Sequence, residues 1–375
     1  MIYVHVPFCR SFCTYCGFYS ELCSRKETQQ VQNRLFGDYA DALCEEIADR
    51  QSEIAEAFPD TLYIGGGTPS VLPLVVLERI VRALGPATYE EFTVEVNPDD
   101  VVAGGPEYVA GLRALGVNRV SMGVQSFDDG ILRWMNRRHD AAGAREAFRL
   151  LRACGFDNVS IDLIFGLSQL SDETWADSIR ETLALQPEHI SAYQLSIEED
   201  SALARMVSDG RYAEASDDQC RAQYDTLCRM LADAGYTHYE ISNWARPGRE
   251  AVHNSAYWRR VPYVGLGPGA HSFSDGVRSW NSQELPRREA GGQLLRWRPE
   301  HEELSAREAA EETIMLALRT AAGLPLATLR ALSPSAPIDT LLSEGALQLF
   351  PATASVRIPE DHFFVSDDII ARLLP

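Results

Sequence analysis

The sequence predicts an α/β protein: a partial, open (β/α)6 barrel followed by a C-terminal winged-helix-like module. Three observations carry this. Six short runs rich in Val and Ile recur at 2–6, 61–64, 92–96, 119–124, 159–165 and 190–195, and each reads as a strand buried on both faces. Helical patterns fill the gaps at 38–57, 74–84, 106–115, 141–154 and 172–185. Ser171 is placed to N-cap its helix, and Gly116 and Gly155 follow helix ends. Strand–helix alternation implies parallel strands joined by right-handed crossovers. Six units are too few for the closed eight-stranded barrel. The active site of such a sheet belongs at the C-terminal strand ends.

The pattern changes after about residue 200. A helix is expected at 219–234, then a loop-rich stretch with many Trp, Tyr, Asn and Gly residues. The organisation expected is a barrel over 1–235, a connecting region over 236–300 and a compact module over 301–375. In that module helices are expected at 306–319, 326–331 and 338–344. Strands at 347–350 and 362–365 would form a hairpin before the last helix.

Hydrophobic residues make up 45% of the chain and charged residues 23%, an ordinary globular balance that argues against general disorder. The net charge of −20 repels nucleic acid and anionic lipid. Arg287, Arg288, Arg296 and Arg298 form a local exception, read as solvated. No stretch approaches the roughly 20 apolar residues a bilayer span needs. The opening MIYVHVPFC has no basic region, long apolar core or cleavage site. A cytoplasmic location is expected.

Eight cysteines are too sparse for a disulfide scaffold. Cys23, Cys44, Cys154, Cys220 and Cys228 are scattered, but three fall within eight residues: Cys9-Arg10-Ser11-Phe12-Cys13-Thr14-Tyr15-Cys16. Zinc usually takes four ligands, often in pairs. Three close thiols without a second pair fit it poorly, although His5 or Cys23 could complete such a site. An iron–sulfur cluster normally takes four thiolates. Three leave one iron open, and the amino and carboxylate groups of S-adenosylmethionine (SAM) can chelate it. An electron from the cluster would then cleave the sulfonium to a 5′-deoxyadenosyl radical. The spacing C-x3-C-x2-C just after a first strand matches the signature of the radical SAM superfamily.

Gly65-Gly66-Gly67 follows the second strand, and glycines there permit close approach of backbone to ligand. Placed after the cysteine loop, this run resembles the radical SAM element that contacts the amino group of SAM. A SAM pocket also needs acceptors for the ammonium and ribose hydroxyls and a cation for the carboxylate. Glu95, Gln125 and Asp162 sit at successive strand ends, with Arg137 just downstream.

Longer motifs extend the likeness. Tyr3-Val4-His5-Val6-Pro7-Phe8-Cys9, Gly65-Gly66-Gly67-Thr68-Pro69-Ser70, Glu95-Val96-Asn97-Pro98, Gly123-Val124-Gln125-Ser126-Phe127, Asn136-Arg137 and Ser160-Ile161-Asp162-Leu163 resemble the oxygen-independent coproporphyrinogen III oxidase family over almost the whole chain. That resemblance implies a [4Fe-4S] cluster and matching SAM contacts at Tyr3, Tyr15, Gly66, Gly67, Thr68, Glu95, Gln125, Arg137 and Asp162. The oxidase itself carries a fourth cysteine two residues after the third and a long N-terminal extension. Here that position is Phe18 and the first strand begins at residue 2. The sequence therefore looks more like the heme-chaperone branch, which has the motif H-N-x-x-Y-W, present as His253-Asn254-Ser255-Ala256-Tyr257-Trp258. A neutral imidazole is a good axial ligand for heme iron, and Tyr257 and Trp258 could line a porphyrin face. His271, in a glycine-rich turn, is the rival ligand. The branch implies heme delivery to respiratory hemoproteins, an electron donor for the cluster, a homodimer and peripheral contact with a membrane.

Three functions stand at this stage: a heme chaperone on a radical SAM scaffold, a coproporphyrinogen-decarboxylating enzyme, and a zinc-stabilised binding module. Under the first two, Cys13→Ala should remove iron, acid-labile sulfide and SAM cleavage while far-ultraviolet circular dichroism stays unchanged. Parental SAM cleavage by that variant would refute the cluster assignment.

Overall fold

A computed structural model describes residues 1–23, 28–57, 60–288, 294–295 and 297–375. The six expected strands are present as β1 (Ile2–Val6), β2 (Thr61–Gly66), β3 (Glu91–Val96), β4 (Arg119–Gln125), β5 (Val159–Phe165) and β6 (His189–Gln194). They lie side by side in sequence order, each parallel to the next. The stretch read as loop-rich supplies three more: β7 (Thr237–Glu240), β8 (Asn243–Ala245) and β9 (Val264–Leu266). The full order is β9-β1-β2-β3-β4-β5-β6-β8-β7, an open sheet. β9 runs parallel to β1, and β8 is antiparallel to β6.

The crossover helices are α1 (Gln29–Asp49), α2 (Leu74–Leu84), α3 (Pro98–Ala114), α4 (Ala141–Ala153) and α5 (Asp172–Leu185). Two differ from the expected bounds for stated reasons. α1 begins earlier because Thr28 caps it, accepting from the Val31 amide. α3 also begins earlier, with Asn97 as cap and Pro98 at its first position. The expected start at Pro106 survives as a kink, with Gly105 at φ 63° and the helix resuming beyond it.

The strands are not apolar on both faces, which corrects the sequence reading. Val4, Val6, Leu62, Ile64, Val94, Val120, Met122 and Ile161 share one face and join the helices in the core. The other face alternates with them and is polar. Tyr3 lies opposite Tyr63, Tyr63 opposite Thr93, Thr93 opposite Arg119, Glu95 opposite Ser121, and Asp162 opposite Ser191. Arg119 is 1% exposed within this inner layer.

After α6 (Asp217–Asp233), the short helix α7 (Val252–Trp258) packs against β2. Strands β10 (His271–Ser274), β11 (Val277–Asn281) and β12 (Pro299–Glu303) form a small antiparallel sheet. The C-terminal module follows as α8 (Ala306–Leu318), β13 (Leu324–Pro325), α9 (Leu326–Leu332), α10 (Ser335–Glu344), β14 (Gln348–Phe350), β15 (Ser355–Arg357) and α11 (Ser366–Ala371). This helix–strand–helix–helix–hairpin order is winged-helix-like. The hairpin partner is Ser355–Arg357, not 362–365 as expected. Residues Glu360–Val365 instead form a 3-10 helix entered through Pro359, whose fixed φ suits a helical start.

Of the four expected surface arginines, Arg296 and the side chain of Arg287 lie outside the described residues. Arg288 pairs with Asp38 and Asp41 on α1.

One buried ionic node ties the cysteine loop to the barrel. Asp100 accepts from Arg138 at 2.7 and 2.9 Å and from Ser70 at 3.0 Å, and Arg10 stands 3.5 Å away. Asp100 is 6% exposed; without it Arg138 keeps Asp99 at 2.6 Å, while Ser70 loses its acceptor and Arg10 the carboxylate 3.5 Å away. Asp100→Ala should lower unfolding stability by about 1–3 kcal/mol, read from urea denaturation.

Candidate cluster and cofactor site

The cysteine loop is shaped by backbone bonds rather than by its thiols. Residues Phe8–Cys9 pair in parallel with Glu21–Leu22, and the Cys23 amide returns to the Cys9 carbonyl at 2.8 Å. Thr14 donates its amide to Met135 O (3.1 Å) and its hydroxyl to Trp134 O (2.8 Å). Asn136, at φ 57°, donates to Phe12 O at 2.7 Å. The three thiols are thereby left for a ligand.

Cys9 Sγ lies 3.3 Å from Thr68 Oγ1, and Arg137 donates to Cys13 Sγ at 3.3 Å. Burial pushes the Cys9 thiol up and Cys16 to about 11; iron coordination would reverse this by holding the thiolates. Two thiolates on one zinc ion cannot stand more than about 4.6 Å apart, twice the Zn–S distance. Among the described residues, the one set of three Cys, His, Asp or Glu ligand atoms all within 4.8 Å of one another lies elsewhere. The three thiols are not gathered that closely in this structure. Their spread suits a cluster, whose thiolates grip different irons. His5 does not complete a zinc site either, since its nitrogens face Tyr3 Oη and Tyr19 O, both at 3.0 Å. Cys23 is fully buried.

The expected SAM contacts gather on the same rim. Gly66 sits at φ +112° and donates its amide to Glu95 at 3.1 Å; a Cβ there would meet the His5 ring at 2.6 Å. Thr68 stands beside Cys9. Glu95 also accepts from Tyr63 at 2.8 Å. Burial raises its carboxyl to about 7 against the opposing Tyr63 bond. Asp162 accepts from Ser121 (3.1 Å) and Ser160 (3.2 Å); burial raises it too, against Ser191 and Arg119. Gln125 takes φ 71° at the end of β4. Tyr15 packs partly buried against the core, and the Tyr3 hydroxyl lies by His5. Arg137 binds Gly123 O and Cys13, and its buried Nε has no partner. An unpaired buried donor beside the thiols fits a carboxylate ligand. The donor set therefore fits a three-thiolate cluster with SAM.

Sequence reading missed Tyr63, Arg119, Ser121 and Ser191. Strict alternation from Tyr63 through Gly65, and from Arg119 through Ser121 and Gly123, was the signal that could have found them.

The heme candidates separate. His253 is 1% exposed. Its Nδ1 lies 2.8 Å from Thr61 Oγ1 and its Nε2 3.1 Å from Tyr257 Oη. Burial lowers it to about 3, so the ring is neutral with both nitrogens engaged. The Glu91 carboxylate accepts from the Val252 and His253 amides at 2.7 and 3.1 Å. Thr61 and Glu91 begin β2 and β3, so α7 closes the floor of the barrel. The floor lies about 16 Å below the rim at ~3.3 Å per strand residue. His271 is exposed and stacks on Trp280 with centroids 5.7 Å apart; partial desolvation of its ring, then the nearby Arg278 cation, lower its pKa from the ordinary value. Tyr257 and His271 line one cavity of about 400 Å3 with Tyr3, His5, Phe18 and Tyr19. Trp258 ends α7, half-buried.

The radical SAM superfamily model matches residues 3–182. The chain is 35% identical over 349 residues to the heme chaperone HemW of Synechocystis sp., covering 87% of this chain and 79% of that protein. It is 33% identical to HemW of Bacillus subtilis, covering 86% and 83%. The chain belongs to the HemW family. Among solved structures, the coproporphyrinogen III oxidase HemN of Escherichia coli, a radical SAM enzyme, superposes with a TM-score of 0.77 over 99% of this chain and 89% of its own, at 22% identity. That likeness shows the radical SAM fold. HemW membership on this fold implies a [4Fe-4S] cluster and SAM. No helix among the described residues is long and apolar enough to cross a membrane.

A carboxylate accepts most strongly from the N–H groups of the SAM amine when it is ionised. Glu95 carries a folded pKa of about 7, above its ordinary value, so it is protonated below that point. SAM affinity of cluster-loaded protein should therefore rise as pH climbs through about 7, by up to about tenfold per unit below it. Glu95→Gln should flatten this slope in equilibrium dialysis; an unchanged slope would exclude Glu95 as the acceptor.

Proposed function

We propose that this chain is a heme chaperone that binds heme and passes it to hemoproteins, respiratory enzymes among them. The curated relatives carry that name, and the chain matches them over most of its length. In this reading Cys9, Cys13 and Cys16 hold a [4Fe-4S] cluster. Glu95, Gln125, Arg137, Asp162, Tyr3, Tyr15 and Gly66–Thr68 receive SAM. When bound, a reduced cluster supplies the electron for cleavage of the SAM sulfonium.

The observation that carries the heme site is a shared wall. Phe18 and Tyr19, directly after the third cysteine, line the same cavity as Tyr257 and His271. A mostly aromatic cleft suits a flat porphyrin. His271 offers an exposed, neutral imidazole for the iron. His253 acts through Tyr257: its Nε2 lies beside the Tyr257 hydroxyl, which positions that ring in the wall. Phe18, 74% exposed, lines the same cavity, so porphyrin contact there is apolar.

Anaerobic heme titration of the reconstituted protein, followed in the Soret region, tests this. One heme per chain is expected. His271→Ala should raise the heme Kd at least about tenfold, the loss seen even for an outer-shell partner of a metal, and should shift the Soret band. Unchanged affinity and spectrum in His271→Ala, or turnover of coproporphyrinogen without stoichiometric heme binding, would defeat the proposal.

A further inference from the structure

Away from the cysteine loop, three side chains from separate elements converge between the barrel and the C-terminal module. Cys228 lies on α6, His238 on the outermost strand β7, and Glu360 opens the 3-10 helix after Pro359. Their Sγ, imidazole nitrogen and carboxylate oxygen all lie within 4.8 Å of one another. Nothing in the cluster, SAM or heme reading uses them.

His238 carries the argument. Its Nδ1 faces Glu360 Oε1 at 2.9 Å and its Nε2 faces Ile241 O at 3.4 Å. Both nitrogens therefore look at oxygen acceptors, and a neutral imidazole has one N–H to give. A metal ion on Nδ1 removes the conflict, because Nε2–H then donates to the carbonyl. Metal-bound histidines make that orienting bond as a rule. The ring is already held for this. It stacks on Trp244 at 4.1 Å and 14°, Phe363 meets it edge-on at 5.0 Å, and its side chain is 2% exposed.

We propose that Cys228, His238 and Glu360 bind one divalent ion of the zinc type, which clamps the C-terminal module to the barrel. Thiolate plus imidazole excludes ions that seek only oxygen and fits zinc or cobalt. The Glu360 side chain is 54% exposed, so the fourth position faces water. α6 and the module already touch here: Arg221 donates to Asp361 O at 3.1 Å, and Tyr224 packs on Phe364. The ion would add a bond across the same joint.

The cluster thiols compete for metal, so the test uses the full chain carrying Cys9→Ser, Cys13→Ser and Cys16→Ser, stripped with chelator and titrated with Co2+. One equivalent should bind with a thiolate-to-cobalt charge-transfer band, displaced by Zn2+. Adding Cys228→Ser should abolish the band. Adding Glu360→Gln, at a largely exposed position that leaves folding intact, should raise the Kd at least about tenfold, the loss seen even for an outer-shell partner. Absence of the band would mean that His238 and Glu360 form an ion pair alone, and the proposal would fall. It would fall equally if the band survived Cys228→Ser, or if Glu360→Gln bound as tightly as its parent.

Discussion

Polar groups on the inside of a folded chain must find partners, and that requirement organises this molecule. The open sheet presents Tyr63, Thr93, Arg119, Ser121, Asp162 and Ser191 inward. An unpartnered buried polar group costs about 1–3 kcal/mol, so this layer has to be sealed with bonded groups. At the floor α7 does so. Thr61 and His253 bond to each other, and Glu91 serves as the cap that α7 has no residue of its own to supply. At the rim the sealing is incomplete: Arg137 keeps a buried donor without a partner, and Glu95 and Asp162 are held above their ordinary values by burial. Within the layer Arg119 keeps an unpartnered buried Nε as well.

The same logic divides the two histidines. His253 sits where the fold needs a satisfied group, and it has one on each nitrogen. His271 sits where the chain turns back beside β1. A Cβ on Gly265 would fall 1.9 Å from His271 O, so glycine is what allows the two segments to approach. That approach brings His271 into the cavity lined by Tyr3 and Tyr19. The motif histidine is buried with both nitrogens bonded; the histidine outside the motif faces the cavity.

Much of the architecture was legible. The six strands and five crossovers follow from apolar runs at strand and helix spacing. What escaped was whatever depends on a partner distant in sequence. Strands β7, β8 and β9 are short and carry weak patterns, because pairing with β6 and β1 stabilises them rather than propensity. The second hairpin strand was misplaced because 362–365 is as apolar as a strand, while Pro359 commits it to a 3-10 helix. The inner face was misread because each run averages as apolar, and a window average hides an alternating polar partner.

The sequence by itself determined the six strand–helix units in order, the three cysteines and their spacing, and the glycine run after the second strand, since each rests on neighbours within one segment. Tertiary structure alone decided which polar side chains share the barrel interior, which histidine is buried and which is open, and that Cys228, His238 and Glu360 meet at all. Those outcomes turn on register and packing between separate segments, from 32 residues apart for Tyr63 and Glu95 to 192 for Thr61 and His253, and no local pattern encodes such pairings.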